Sequence, residues 1–197
     1  MLNSVHYLKY RLGMASAQTQ TSAAEQQCLR DHAAGKNRLC EIGVYHGVNT
    51  RVFREVMADD AVLIAIDPFP RFFFGIRGYG WARRIAHREV SKASRGRVVW
   101  IEDFGKDAPR NPLVAQLLPV DFIFIDGDHS WDGIKGDWES WRDQIQLNGI
   151  VALHDSCNCG AESERYTTEV ILKDRQFEKI VSVDTLTVLK RVSLDRS

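Results

Sequence analysis

The sequence predicts a single α/β domain with a doubly wound, mostly parallel sheet. Short apolar runs without polar alternation, such as "AVLIAI" (61–66) and "VDFIFI" (120–125), are typical of parallel strands covered on both faces. These runs alternate along the chain with segments of helical pattern, which favours strand–helix–strand units. The length of 197 residues fits one domain, which we assign to residues 1–197.

The remaining elements follow in chain order. Ser22 predicts the N-cap of the first helix, with Gln26 at a distance similar to that of a capping box. Asn49 or Thr50 predicts the cap of the second. The predicted strands are 38–42, 61–66, 97–101, 120–125 and 149–154, and the predicted helices are 22–34, 49–57, 113–118 and 130–146.

The C-terminus departs from the alternation. "FEKIVSV" and "TLTVLKRV" are two strand patterns separated by only Asp184. Such a short connection permits an antiparallel hairpin and excludes a helical crossover. We therefore expect a mostly parallel sheet with an antiparallel strand near its end.

Composition narrows the class of function. The formal net charge is zero, so no overall attraction to nucleic acid or to acidic membranes is expected. There is no apolar run of about 20 residues and no leader-like segment at the N-terminus, so we predict a cytoplasmic protein. Cys157 and Cys159 form a C-x-C pair without the further ligands that zinc sites usually have, so reduced thiols are expected.

Three strand ends carry residues suited to a nucleoside. In open α/β sheets, ligands bind beyond the carboxyl ends of the strands. In "CEIGVYHGVNT", the small residues at the turn allow close approach of backbone to a ligand, and the G-x-x-x-G spacing lacks the second glycine of dinucleotide sites. Asp67 ends the next strand, where a carboxylate suits a ribose diol. After the third, Asp103 could accept from an exocyclic amine and Phe104 could flank a ring.

Two further strand ends carry possible metal ligands and proton acceptors. "FIFIDGDHSWDG" places Asp126, Asp128 and His129 directly after an apolar run, and "GIVALHDS" ends in His154 and Asp155. If these strands are neighbours, the carboxylates converge, and a divalent cation would offset their repulsion. Hard carboxylate oxygens suit magnesium or manganese better than zinc.

Taken in order, these motifs resemble the class I S-adenosylmethionine-dependent methyltransferases. More narrowly, the sequence is similar to the small O-methyltransferases of sugars and other natural-product hydroxyls, the group related to cephalosporin hydroxylase and macrocin O-methyltransferase. The resemblance covers roughly residues 21–192 and rests on "EIGVYHGVNT", "IAIDPF", "DFIFIDGDHSWDGIKGDWESW" and "GIVALHDS". It implies a seven-stranded sheet of order 3-2-1-4-5-7-6 with strand 7 antiparallel. Two departures are Tyr45, where many class I enzymes have glycine, and His154.

The resemblance also implies S-adenosylmethionine as cofactor and a small-molecule hydroxyl as methyl acceptor. The sulfonium already makes the methyl group electrophilic, so the enzyme must align the acceptor oxygen and remove its proton. A divalent cation, magnesium or manganese, would lower the pKa of that oxygen. We assign Asp128 and His129 to catalysis and Asp126, His154 and Asp155 to the metal. The cofactor-binding residues are then predicted to be Glu41, Gly43, Tyr45, Gly47, Asp67, Asp103, Phe104 and Asp126.

Two segments lie outside the strand-end motifs. We predict residues 1–20 to be an N-terminal extension and 69–96 to be a lid-like insertion. Residues 71–97 carry eight Lys and Arg against one acidic residue, Glu89, together with five aromatic residues. Three interpretations fit: a solvated helix over about 81–93, a cover that contacts an anionic acceptor, or attachment to a membrane surface. The sequence also allows a homo-oligomer.

Two other functions fit the same residues. A metal-dependent hydrolase would use Asp126, Asp128 and Asp155 and give no role to Asp67. A nucleoside-binding protein without chemistry would bind the cofactor and show no acceptor-dependent turnover.

Overall fold

The computed structural model describes residues 2–69 and 80–195. Within these residues the strands are β1 (Arg38–Ile42), β2 (Val62–Ile66), β3 (Arg97–Ile101), β4 (Val120–Ile125), β5 (Ile145–Leu153), β6 (Phe177–Val183) and β7 (Leu186–Arg191). The α-helices are α1 (Leu2–Arg11), α2 (Ala23–Ala33), α3 (Val48–Val56), α4 (Trp81–Val90), α5 (Pro112–Ala115), α6 (Trp131–Trp141) and α7 (Glu162–Glu169).

The strands form one sheet of seven in the order β3-β2-β1-β4-β5-β7-β6. β1, β2, β3, β4 and β5 pair in parallel, and β7 runs antiparallel to both β5 and β6. The predicted strand order and the predicted C-terminal hairpin are confirmed. The order reverses between β1 and β4, so a ligand cleft is expected at the carboxyl ends of those strands.

Both faces of the sheet are covered, as the apolar strands predict. Alternate strand residues such as Leu39, Leu63 and Phe122 point to the face where α2 and α3 contribute Leu29 and Phe53. The other set packs against α6 and α7, where two fully buried tryptophans and a tyrosine fill the core: Cys40, Ile64, Ile123, Trp138, Trp141 and Tyr166. Burial on both sides explains why the strands lack polar alternation.

Several helix boundaries differ from the predicted ones. Ser22 does cap α2, but its capping-box partner is Glu25, one residue before the predicted Gln26. The cap of α3 is Gly47, so the predicted caps Asn49 and Thr50 lie inside the helix, where both are buried. The helix predicted over 130–146 ends at Trp141, because residues 142–144 form a 3-10 turn that leads into β5.

Only part of the predicted lid-like insertion, 69–96, lies within the described residues, and the lid stays a prediction. Residues 70–79 lie outside the described part of the chain. Residues 81–90 form α4, which packs against α3 and buries Ile85, Ala86 and Val90. α4 is therefore the crossover helix between β2 and β3, and this half of the segment belongs to the fold. None of the described helices is long and apolar enough to cross a bilayer.

Candidate functional site

A cleft of about 840 Å³ opens at the carboxyl ends of β1, β2, β3 and β4. Backbone hydrogen bonds hold these ends in register: the N–H groups of Gly43, Asp67, Asp126 and His154 donate to Ile66, Ile101, Ile42 and Ile125. Each donor is the first residue after its strand. The parallel sheet thus gathers the polar residues that follow four different strands at one edge, as the sequence predicts.

The turn after β1 forms the floor of the cleft. Gly43 has a φ of +89°, and a Cβ atom there would lie 1.9 Å from the carbonyl oxygen of Asp126. The turn after β4 can approach this closely only because residue 43 has no side chain. Tyr45 is also in the left-handed region, with a φ of 49°, and its side chain is half exposed at the cleft.

Asp67 lies in the cleft and holds this turn in place. Its Oδ2 accepts hydrogen bonds from the backbone N–H of Val44 (3.0 Å) and Tyr45 (2.8 Å). Its Oδ1 accepts from the N–H of Phe69 at 2.6 Å. A carboxylate offers about four acceptor positions, so three are filled and one is left for a ligand hydroxyl. Asp67 therefore both shapes the loop and can contact a ribose.

Three predicted cofactor residues do not line the cleft. Glu41 is buried beneath the turn, where Oε2 accepts from the hydroxyl of Thr50 and burial raises its pKa well above the usual range. Gly47 begins α3 with a φ of +74°, and a Cβ atom there would meet α4 at about 3 Å. Asp103 accepts from the N–H of Phe104 at 2.8 Å, while the Phe104 ring itself lies exposed at the cleft.

The N-terminal segment supplies a wall of the cleft that the sequence motifs do not indicate. Residues 18–20 line the cleft opposite the β1 turn. The Tyr45 hydroxyl donates to Oε1 of Gln18 at 2.9 Å, and the Gln18 N–H donates to Nδ1 of His46 at 3.1 Å. The rings of Tyr45 and His46 stack with centroids 3.9 Å apart. His46 is thus a packing residue, and burial lowers its pKa to about 4.

Asp137, on α6, is a further cleft residue that motif analysis missed. Its side chain is 6% exposed and lies below the turns after β3 and β4, close to the backbone of Gly105 and Gly127. Burial, together with the charge of Asp128, raises the pKa of Asp137 to about 7. It follows Asp126 by eleven residues on a different element, so only the packing of α6 brings it to the cleft.

Asp126, His129 and His154 form a compact group at the β4–β5 side. One donor atom from each lies within 4.8 Å of those of the other two. Nδ1 of His154 is 2.9 Å from Oδ1 of Asp126, and Nε2 of His129 is 3.7 Å from the same oxygen. Asp126 and His129 also line the cleft, whereas His154 is buried behind them.

Three carboxylates surround His154. Besides Asp126, Oδ2 of Asp155 is 3.7 Å from Nδ1, and Oε2 of Glu25 on α2 is 3.6 Å from Nε2. Burial alone would lower the pKa of His154, but these carboxylates raise it to about 9. For Glu25, burial is opposed by hydrogen bonds from Ser22 and Thr185, which leave its pKa lowered. Glu25 has no signal in the sequence beyond its place in the first turn of α2.

We call Asp126, His129 and His154 the donor group; it shares Asp126 and His154 with the predicted metal ligands and has His129 where the prediction has Asp155. Asp155 follows β5 with a φ of 47°, so the chain turns away from the strand direction there, and its carboxylate lies beside the group. His129, predicted as catalytic, is the third member of the group, and the assignment of Asp155 as a ligand stays a prediction. Asp128 is exposed in the cleft, and its Oδ1 accepts from the Ser130 N–H at 2.9 Å at the start of α6.

The residues present are suitable donors for a cation. His154 is 4% exposed, and neither of its ring nitrogens makes an aligned hydrogen bond within the described chain, although Nδ1 is close to Asp126. A buried polar atom without an aligned partner is costly, and a proton shared with Asp126 or a bound metal would satisfy it. Two imidazoles and one carboxylate suit manganese or iron better than magnesium.

Comparisons with known proteins agree with this architecture. A family model described as a methyltransferase domain matches residues 40–156, more than half of the chain. The O-methyltransferase TomG from Streptomyces achromogenes, solved with S-adenosylmethionine, is 16% identical with a TM-score of 0.62; the match covers 97% of this chain and 89% of TomG.

Two other solved structures show the same fold. CalS11, a TDP-rhamnose 3'-O-methyltransferase of calicheamicin biosynthesis, is 14% identical with a TM-score of 0.59, over 84% of this chain and 77% of CalS11. An rRNA methylase from Streptococcus thermophilus is 12% identical with a TM-score of 0.60, over 89% of this chain and all of that chain. The chain belongs to the methyltransferase domain family and is a class I S-adenosylmethionine-dependent methyltransferase.

Proposed function

We propose that this methyltransferase acts on a hydroxyl group of a small molecule and that a divalent cation assists it. The observation that carries the proposal is the double role of Asp126 and His129. Both line the cofactor cleft, and both belong to the group of possible metal ligands with His154. An acceptor oxygen held beside them would lie next to the bound methyl donor.

The charge of the cleft suits the methyl donor. Four aspartates line it, Asp67, Asp126, Asp128 and Asp137, against a single lysine, Lys106, among the described residues. A sulfonium is a fixed positive charge, so carboxylates within a few ångströms favour its binding. The cleft volume lies in the range of ~300–1,000 Å³ typical of small-molecule sites, which is enough for the cofactor and a small acceptor.

Proton removal is assigned to Asp128, with His129 beside it. Asp128 is exposed in the cleft, and its hydrogen bond from Ser130 fixes one oxygen, while the other can accept a proton from a ligand. A bound cation would lower the pKa of the acceptor hydroxyl. Asp126, His129 and His154 would hold that cation, and Asp155, 3.6 Å from Nδ1 of His129, would orient that ring.

One observation favours a metal-free variant of the same reaction. The pKa of His154 is raised to about 9, and a protonated His154 would neutralise its carboxylate neighbours without a metal. In that case the proton of the acceptor passes to Asp128 or His129 alone. The two variants differ in metal content and in their response to chelation.

The acceptor class is part of the proposal. TomG and CalS11 are O-methyltransferases, and the second acts on a nucleotide sugar, which supports a small hydroxyl acceptor. Lys106 could pair with an anionic group on such an acceptor. The rRNA methylase among the similar folds makes RNA the alternative acceptor. We place the reaction in the cytoplasm, where the four free cysteines would stay reduced.

The test is turnover with a panel of acceptors. The purified protein is incubated with S-adenosylmethionine and sugar nucleotides, phenols, glycosides or an rRNA fragment, and formation of S-adenosylhomocysteine is measured. We expect turnover with a small hydroxyl compound, loss of turnover in EDTA, and recovery with Mn²⁺ or Mg²⁺. Full activity in EDTA, with no metal in the purified protein, would contradict the metal role and support the metal-free form of the reaction.

A matched pair of variants isolates the base. Asp128→Asn should slow turnover by ~10²–10⁴-fold, the usual cost of losing a general base, while cofactor affinity is kept. Asp132→Asn removes the same charge from an exposed position in the first turn of α6 and should leave turnover unchanged. Equal activity of both variants would remove Asp128 from catalysis.

A further inference from the structure

We propose that the outer surface of α1 and α4 docks on a membrane that carries anionic lipid headgroups. We call this surface the α1–α4 face and define it by the exposed residues Val5, Leu8, Lys9, Arg11, Leu12, Met14, Arg84, Arg88 and Lys92. It lies outside the cleft, and the methyl-transfer reaction gives it no role.

The inner side of α1 is already occupied by the fold. The Tyr10 hydroxyl donates to Oε2 of Glu89 at 2.7 Å, and the Tyr7 ring lies 4.5 Å from the ring of Trp81. The His6 ring stacks on that of His46 at 5.3 Å. α1 is therefore attached to α4 through one side, and its opposite side is not needed for packing within the chain.

The opposite side of α1 is apolar. Val5, Leu8 and Leu12 recur at three- and four-residue spacing, which places them on one face of the helix. With Met14, their exposed fractions run from 52% to 65%. Single exposed apolar residues are common, but Val5 and Leu8 on α1, with Leu12 and Met14 directly after its end, lie within one short segment and indicate a surface that is covered in use.

Exposed cations lie on the same two helices. Lys9 and Arg11 lie on α1, and Arg84, Arg88 and Lys92 are exposed on the adjoining helix and its end. Residues 2–23 and 80–97 together hold eight Lys and Arg and a single acidic residue, Glu89, in a chain whose net charge is zero.

Glu89 offsets only part of this charge, because among the cations of the α1–α4 face its ion pair is with Lys92. Glu89 is 4% exposed and contacts Arg51 at 2.8 Å, Lys92 at 2.5 Å and the Tyr10 hydroxyl. Glu102 pairs with Arg83 at 2.6 Å beside α4. The face therefore combines an aliphatic stripe with an excess of exposed positive charge.

An anionic bilayer surface fits both properties. Amphipathic helices that lie in the interface bury an apolar stripe among the acyl chains and present Lys and Arg to the headgroups. RNA would pair with the cations but would leave the aliphatic stripe in water, since single-stranded RNA is bound by stacking on aromatic rings. A second copy of the same face would bring like charges together, which opposes a symmetric dimer.

The α1–α4 face is also connected to the cleft. α1 ends at Arg11, and seven residues later Gln18 lines the cleft and holds Tyr45. Docking of α1 would thus be linked through a short segment to one wall of the cleft.

The apolar half of the proposal is tested by flotation with vesicles of phosphatidylcholine alone or with about 30% phosphatidylglycerol. We expect the full chain to float with the anionic vesicles only, and less so at high salt. Leu8→Ser with Leu12→Ser should lower the bound fraction at least about tenfold. Leu147→Ser with Ile180→Ser, each 45% exposed elsewhere on the surface, is the control and should float like the wild type.

The electrostatic half uses charge removal. Lys9→Gln and Arg88→Gln should each weaken vesicle binding about fivefold. Arg175→Gln and Lys179→Gln are the controls, because both residues are exposed and lie outside the α1–α4 face; they should bind vesicles like the wild type. All variants are checked for unchanged melting temperature and cofactor affinity.

Three results would overturn the proposal. The first is a wild-type chain that stays unbound with anionic vesicles. The second is equal loss of vesicle binding in the Leu147 and Ile180 control. The third is the absence of vesicle binding together with either a mobility shift of an RNA fragment or a dimer mass in light scattering. If the Leu8 and Leu12 changes abolish that shift or that dimer, the face belongs to RNA or to a second copy of the chain.

Discussion

Gly43→Ala tests the close approach of the β1 and β4 turns that forms the floor of the cleft. The added Cβ atom would lie 1.9 Å from the Asp126 carbonyl oxygen and 2.6 Å from its carbonyl carbon. Real Cβ atoms do not come nearer than 3.0 Å, so one of the two turns must move by about 1 Å. Alanine at a φ of +89° adds strain of ~1–2 kcal/mol, and the overlap adds ~1–3 kcal/mol.

The turn after β1 carries the N–H groups that donate to Asp67, and the turn after β4 carries Asp126, one of the possible metal ligands. A misplacement of about 1 Å in a binding site can cost ~10²-fold, so we expect at least that loss of S-adenosylmethionine affinity in calorimetry. Gly35→Ala is the control, because Gly35 has a φ of +69° with nothing within 4 Å of the added atom. It should lose stability through strain alone and keep its affinity.

Wild-type affinity in a folded Gly43→Ala protein would refute the assignment of this turn to the cofactor. If Gly43→Ala does not fold while Gly35→Ala does, the overlap is real and a second variant must test the site. Tyr45→Ala then serves instead, since it leaves the backbone contact intact and removes the ring that Gln18 holds at the cleft. It should weaken cofactor binding without unfolding the chain.

Three further predictions follow from the site. Asp67→Ala should weaken S-adenosylmethionine binding by ~1–3 kcal/mol in calorimetry, because three backbone N–H groups and a ribose hydroxyl lose their acceptor; unchanged affinity would exclude Asp67. The pKa of Asp137 is raised from its usual 3.8 to about 7, so folding is favoured when this group is protonated and stability falls as pH rises between these values. Asp137→Asn should therefore change the free energy of unfolding little near roughly pH 4 and increase it by up to about 4 kcal/mol at roughly pH 8, by denaturant titration; equal effects at both would contradict a buried carboxyl. His154→Gln should abolish metal retention measured by elemental analysis, whereas His32→Gln, on α2 and outside the donor group, should not; metal retained by the His154 variant would place the ion elsewhere.

The fold and most of the cleft were predictable because they depend on local pattern and one rule of topology. Apolar runs located the strands, and parallel strands bring the residues after their carboxyl ends to one edge. Asp67, Asp126 and Asp128 were found in this way. The short connection at Asp184 predicted the antiparallel end of the sheet, because one residue can join two strands only as a hairpin.

The rest depends on packing between distant segments. Glu25 approaches His154 only because α2 packs beside the β6–β7 hairpin, where Thr185 donates to it. Residues 18–20 reach the cleft through contacts with Tyr45 and His46, which leave no spacing in the sequence. α7 was missed since "ESERYTTE" has almost no apolar stripe.

The position of Asp155 relative to Asp126, His129 and His154 is not visible in the sequence. The sequence placed Asp155 among the metal ligands because it follows the β5 strand. In the structure Asp155 has a φ of 47° and its carboxylate lies 3.6 Å from Nδ1 of His129 and 3.7 Å from Nδ1 of His154, and no residue pattern reports a φ value at such a position. The motif positions of Glu41 and Gly47 fit a cofactor turn, but the sequence does not show that Glu41 is buried beneath the turn or that Gly47 lies against α4, because both depend on packing.

Calorimetric titration of the wild-type protein with S-adenosylmethionine tests the central claim most directly. We predict saturable binding of one cofactor per chain, weakened about five- to 150-fold by Asp67→Ala, which is the change expected for ~1–3 kcal/mol. A hydrolase that uses the aspartate cluster without a nucleoside would give no binding heat. Absence of binding by the folded wild-type chain would contradict the assignment of this cleft to a methyl donor.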